Sequence, residues 1–137
     1  MVWPKCQRIA GEVDEHIAFT KLHDQHSILE LVWHMITWRE FTIDRIQPGK
    51  PLAYFEEADW RELDHSDKSL WLGGLQKLQE TQQQLIELLQ KSDDTLLDHQ
   101  VKERNYTFRK LLHGVIQHDI YHLGQIAFIN KCLRANP

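Results

Sequence analysis

The stretch Gln117-His118-Asp119-Ile120-Tyr121-His122-Leu123-Gly124-Gln125-Ile126 lies inside a longer pattern that decides the fold. Phe108, Leu111, Val115, His118, His122, Ile126, Ile129 and Leu133 recur at intervals of three and four, the period of one face of an α-helix. The pattern predicts a helix from near Thr107 to near Arg134. Its apolar face carries two histidines four residues apart, a spacing that sets side chains next to one another. A polar ring standing where a core residue is expected costs about 1–3 kcal/mol if it meets no partner. Something should meet those two rings, and a metal ion is one candidate.

Upstream, Ser27-Ile28-Leu29-Glu30 has the spacing of a capping box, serine first and glutamate three residues later. A helix is predicted from there to about Ile46. It carries two adjoining stripes: Leu31, His34, Trp38 and Phe41, and Ile28, Val32, Met35, Ile43 and Ile46. Together they make a broad buried face, and His34 is a third histidine pointing inward. From about Asp67 to Lys91, Trp71, Leu75, Leu78, Gln82, Leu85 and Leu89 alternate at four and three, with Leu72, Ile86 and Leu88 beside them. Near the start, Ile9, Val13 and Ile17 suggest a short first helix from Cys6 to about Lys21, although Gly11 costs it about 1 kcal/mol against alanine.

Between these segments the punctuation is clear. Gln47-Pro48-Gly49-Lys50-Pro51 ends the second helix, because proline lacks the amide donor and glycine loosens the backbone. In the connection to Asp67, Tyr54, Phe55 and Trp60 are expected to tuck against the bundle. Glu56, Glu57, Asp59, Glu62, Asp64 and His65 read as a solvated face, and His16, His23 and His26 as surface or turn residues. Ser92-Asp93-Asp94 ends the third helix, and 95–106 reads as a loop. No strand alternation competes. The expectation is an all-α fold: a single four-helix-bundle domain spanning 1–137, with a long crossover connection between helices 2 and 3.

Composition narrows the function. Sixteen lysines and arginines against twenty acids give a net charge of −4, mixed along the chain. No basic block marks a nucleic-acid surface. The first residues lack the apolar core of a signal peptide, and no run approaches the roughly 20 apolar residues of a membrane span. A cytoplasmic protein is expected, with Cys6 and Cys132 as reduced thiols rather than a bridge.

Interiors of helical bundles are where side chains from facing helices assemble metal sites. His118 and His122 offer two ligands from one helix and His34 a third from another. Three neutral imidazoles suit zinc, nickel, iron or copper and lack the oxygen cage of calcium. Three protein ligands leave a position open, which is the mark of a reactive site. An ion there would lower the pKa of a water toward about 7 or take up a thiol as thiolate. Asp119 and Tyr121 are turned about 100° per residue away from the histidine face. Gln125, three residues beyond His122, is the candidate to support a ligand from behind. His113 is off the stripe. The competing reading is three core histidines bonded to backbone or to other side chains.

At these residues the chain resembles the DinB/YfiT-like family of bacterial four-helix proteins, which is unrelated to the DNA polymerase sharing the name. The likeness is closest in Tyr106-Thr107-Phe108, in Leu111 to Asp119 and in Tyr121-His122-Leu123-Gly124-Gln125-Ile126. It continues in Ser27-Ile28, His34 and Trp38, and in Asp59-Trp60. The resemblance implies a metal held by three histidines, falling here on His34, His118 and His122. It also implies a crossover bundle and frequent homodimers. Relatives include transferases and isomerases that use low-molecular-weight thiols such as bacillithiol or mycothiol. The first helix is short for the family. The expected function is therefore a metal-dependent thiol S-transferase or hydrolase acting on small molecules, with zinc, nickel or iron as cofactor. The alternatives are a non-catalytic metal-binding bundle, serving as scaffold or sensor, and a metal-free bundle that dimerises.

Overall fold

The Ser27 hydroxyl accepts the backbone N–H of Glu30 at 3.1 Å, and the Glu30 carboxylate accepts the N–H of Ser27 at 3.1 Å. This reciprocal cap satisfies two donors left over at a helix start. In the computed structural model, which describes residues 8–136, the helix it opens spans Ile28–Ile46 as expected. Besides a helical turn at 8–11, the described residues form four further α-helices. We number the five α1 (Glu15–Ala18), α2 (Ile28–Ile46), α3 (Leu52–Ala58), α4 (Ser69–Lys91) and α5 (Phe108–Ala135). No strand occurs among the described residues, only an isolated bridge between Gln100 and Thr107. The fold is all-α.

Two hydrogen bonds fix the direction of α4. Trp33 Nε1 donates to the Leu70 carbonyl at 3.1 Å, and Arg39 donates to the Leu78 carbonyl at 2.9 Å. Both numbers rise together, so α2 and α4 run parallel. Helix α5 runs the other way. Phe41, late in α2, packs with Phe108, Leu111 and Val115, whereas Ile28 and Leu31, early in α2, cluster with Leu123, Ile126 and Ile129. A parallel successor requires the chain to travel back along α2, about 28 Å for nineteen residues at 1.5 Å each. That is why the connection 47–68 is long and crosses over. It carries α3, and Phe55 of that helix is buried on Phe41, while Tyr54 turns outward.

Three local expectations need correction. The first helix is not continuous: 8–11 are helical, the chain breaks, and α1 follows. Gly11 weakens the helix there. Ala10, Val13, Ile17, Ala18 and Phe19 all reach the core, the last three from the single turn of α1 and its C-cap. Cys6 lies outside the described residues. The segment 95–106 is not all loop, since Asp94–Asp98 is a 3₁₀ turn capped by the Asp93 carboxylate on the Thr95 N–H at 2.9 Å. Leu72, placed beside the third apolar stripe, is 69% exposed. No helix among the described residues is long and apolar enough to cross a membrane.

Candidate metal centre

One turn separates His118 from His122 on α5, and both rings face α2 between Val115 and Ile126, buried above and below them. His34 comes from α2, one turn before Trp38. The antiparallel pairing brings the three together. Nε2 of His118 lies 2.9 Å from Nε2 of His34 and 3.0 Å from Nε2 of His122. The nearest ligand atoms of all three fall within 4.8 Å of one another.

The protons show what this cluster needs. Nδ1–H of His34 donates to the Asp59 carboxylate. Nδ1–H of His122 donates to Oε1 of Gln125 at 2.6 Å. A neutral imidazole has one N–H, so Nε2 of both rings is left as a bare lone pair. His118 has a single proton to give. On Nε2 it can serve only one of the two neighbours. On Nδ1 it meets nothing, because that atom is buried without a hydrogen-bond partner. No placement of neutral protons satisfies the three rings. A cation accepting three Nε2 lone pairs would satisfy the converging face of the cluster and leave only Nδ1–H of His118 without a partner, and imidazole nitrogen suits a divalent transition metal. The donor set therefore fits the metal that the resemblance implies.

Electrostatics point the same way. Burial, together with the neighbouring rings of His122 and His26, holds His34 far below the usual imidazole range, at about 3. Burial and the rings of His122 and His34 hold His118 at about 3 as well. His122 is lowered by burial, with Gln125 and Asp119 pulling against it. All three rings are thus neutral at pH 7, the form that ligates.

Several residues around the cluster escaped the sequence reading. Asp59 is not part of a solvated face. As the residue after α3, it is carried by the crossover onto His34, and burial raises its carboxyl above the usual range. Trp60 follows in left-handed backbone, φ 49°, an uncommon conformation for a bulky residue. Its indole is stacked between two imidazoles, 3.7 Å from His34 and 3.8 Å from His26, with the rings within 11° of parallel. His65, read as exposed, is half-buried because Ser27 Oγ bonds its Nε2 at 3.0 Å. His113 is exposed, and Tyr121 is 64% exposed.

Asp119 does turn away from the histidine face, but into the protein. Its Oδ2 accepts from Arg39 at 2.6 Å. Arg39 is fully buried and also bonds the Leu78 carbonyl, so one guanidinium joins α2, α4 and α5 directly behind the cluster. The signal was present: position 39 falls on the apolar stripe that runs 28, 32, 35, 39, 43, and an arginine on such a stripe needs a buried acceptor.

No curated protein matches this chain, and no solved structure does. A family model, that of the DinB superfamily, matches residues 8–126, which takes in α2, the crossover and the histidines of α5. With the match covering most of the sequence, the chain belongs to the DinB superfamily.

Proposed function

We propose that this protein is a metal-dependent enzyme in which His34, His118 and His122 hold a divalent transition metal, zinc, nickel or iron. In this reading it joins a low-molecular-weight thiol to an electrophilic small molecule, or hydrolyses such a molecule. The observation that carries the proposal is the convergence of Nε2 lone pairs that no arrangement of neutral protons satisfies. A metal bound there supplies Lewis acidity, stabilising negative charge as it develops on sulfur or oxygen.

The chain's own residues supply the rest. Asp59 and Gln125 each take the Nδ1 proton of a histidine, which fixes the tautomer and aims the ring. Trp60 stacks on His34, and Trp38 packs beside His118. In thiol transfer the thiol gives up its proton to solvent, sulfur bonds to the electrophilic carbon, and the leaving group departs with its electron pair. Asp59 is not free to act as the base, since it is engaged with His34, and the Gln125 amide is not basic. That observation favours a second reading, a metal-binding bundle without catalysis. We further propose a homodimer. Its support is the exposed row Ile116, Ile120 and Phe128 on α5, with Tyr121 beside it, a large apolar strip for a lone helix face.

Elemental analysis of protein purified without a histidine tag tests the site. About one equivalent of metal is expected for three ligands with one open position, and loss of most of it in His118→Ala. Absence of metal, or equal metal in the variant, would sink the proposal. Metal retained with no turnover in thiol-conjugation and ester-hydrolysis panels would favour the second reading.

A further inference from the structure

Positions 110, 114 and 118 fall four residues apart on α5, so Lys110, Gly114 and His118 form one row along the helix. The middle member has no side chain, and a Cβ built there would meet nothing within 4 Å. The gap opens a groove of about 250 Å³. Its walls are Trp38 from α2, Tyr106 from the preceding loop, and Leu111 and Val115 from α5. His118 lies at one end, with the Trp38 ring 5.5 Å from its own.

We propose that this groove takes the electrophilic substrate and selects a small, flat, apolar molecule with one anionic group. The proposal rests on the function given above and adds the substrate class to it. Aromatic walls from Trp38 and Tyr106 favour a planar π-system over a branched aliphatic one. Leu111 and Val115 offer no hydrogen-bonding group along the α5 wall, which disfavours a sugar or peptide. The volume falls just under the roughly 300–1,000 Å³ of sites for drug-sized ligands, which suits one or two fused rings.

Charge comes from one residue. Among the described residues lining the groove, Lys110 is the only lysine, arginine or carboxylate. Its ammonium lies 5.7 Å from the centroid of the Tyr106 ring, and it forms no ion pair among the described residues. The neighbouring cleft against α3 carries Glu56 and Asp59 as well as Arg104, so it does not offer the same preference for an anion. Lys110 and His118 are two turns apart, about 12 Å along the axis. A molecule anchored by its anion at Lys110 reaches toward His118 with its apolar end, and that end is where the reacting carbon belongs.

Calorimetric titration with naphthalene-2-sulfonate and with its neutral counterpart, 2-(methylsulfonyl)naphthalene, tests this on the full chain, both as purified and after chelation. The sulfonate should bind at one site, more tightly than the sulfone, and equally well with and without metal. Gly114→Leu fills the gap and should weaken sulfonate binding at least about tenfold while leaving helicity intact, since leucine is the better helix former. Lys110→Gln should weaken the sulfonate about two- to fivefold and leave the sulfone unchanged. Sulfonate binding undiminished in Gly114→Leu, no preference over the sulfone, binding that depends on metal, or no binding at all would each overturn the proposal. A metal-free protein that still binds the sulfonate in this way would remove the enzymatic reading and leave the groove assignment standing. A metal-loaded protein that ignores the sulfonate would do the reverse.

Discussion

At Asp59 a single carboxylate decides how His34 presents itself. It accepts the Nδ1 proton, which leaves the Nε2 lone pair facing the other two histidines. Asp59→Asn keeps the size and removes the charge. We expect metal affinity to fall about 10- to 100-fold, the usual effect of losing such a partner, as measured by competition with a chromophoric chelator. Affinity within twofold of wild type would show that Asp59 is a bystander. The sequence could not assign this role. Asp59 lies among Glu56, Glu57, Glu62 and Asp64, and nothing in a run of acids says which one the crossover delivers to a buried ring. Gln125 is the opposite case. Three residues past His122 on one helix, its reach to Nδ1 followed from helical geometry alone.

At the scale of elements, Gly74 is where α4 has no room for a side chain against α2. A Cβ there would lie 2.9 Å from Nε1 of Trp33 and 3.5 Å from Val32. The indole has little room to yield, because Nε1 donates to Leu70 at 3.1 Å. Gly74→Ala should therefore destabilise by about 1–3 kcal/mol through overpacking, outweighing the roughly 1 kcal/mol that alanine gains in a helix. At Gly73 a Cβ meets nothing within 4 Å, and Gly73→Ala should stabilise by up to about 1 kcal/mol. Urea denaturation of the two variants checks the pair, and shifts of the same sign would contradict the packing argument. At the far end of α2, buried Arg45 plays a joining role. It bonds Asp44, the Lys50 carbonyl and Glu103 at 2.6–2.9 Å, and so pins both the start of the crossover and the loop before α5 to one helix end.

For the whole molecule the histidine cluster makes stability depend on pH. His34 and His118 titrate near 6.5 in the unfolded chain and at about 3 in the folded one. Below 6.5 the unfolded chain binds protons that the folded chain refuses, so stability falls as pH falls. The slope is about 1.4 kcal/mol per pH unit for each ring fully engaged. His122 is shifted in the same direction. The raised carboxyls of Asp59 and Asp119 act oppositely, since the folded chain keeps their protons to higher pH. The histidine loss sets in first, on descending from about pH 6.5. Metal-free protein unfolded in urea at pH 7, 6 and 5 should show it, and equal stability across that range would count against buried neutral rings.

The sequence by itself determined the helices that carry regular apolar stripes, the cap at Ser27 and the three inward histidines, because period and capping chemistry are local and survive in one dimension. It also marked a connection long enough to cross over, though not that α2 and α4 run parallel. Only the tertiary structure decided which partners stand behind the rings: Asp59 on His34, Trp60 between His34 and His26, and Arg39 against Asp119. Those pairings join residues 25 and 80 positions apart, and a polar side chain reads as solvated until the fold closes around it. The broken first helix belongs with them, because the four-residue spacing of Ile9, Val13 and Ile17 continues across the break and shows neither the interruption nor the burial of Ala18 and Phe19.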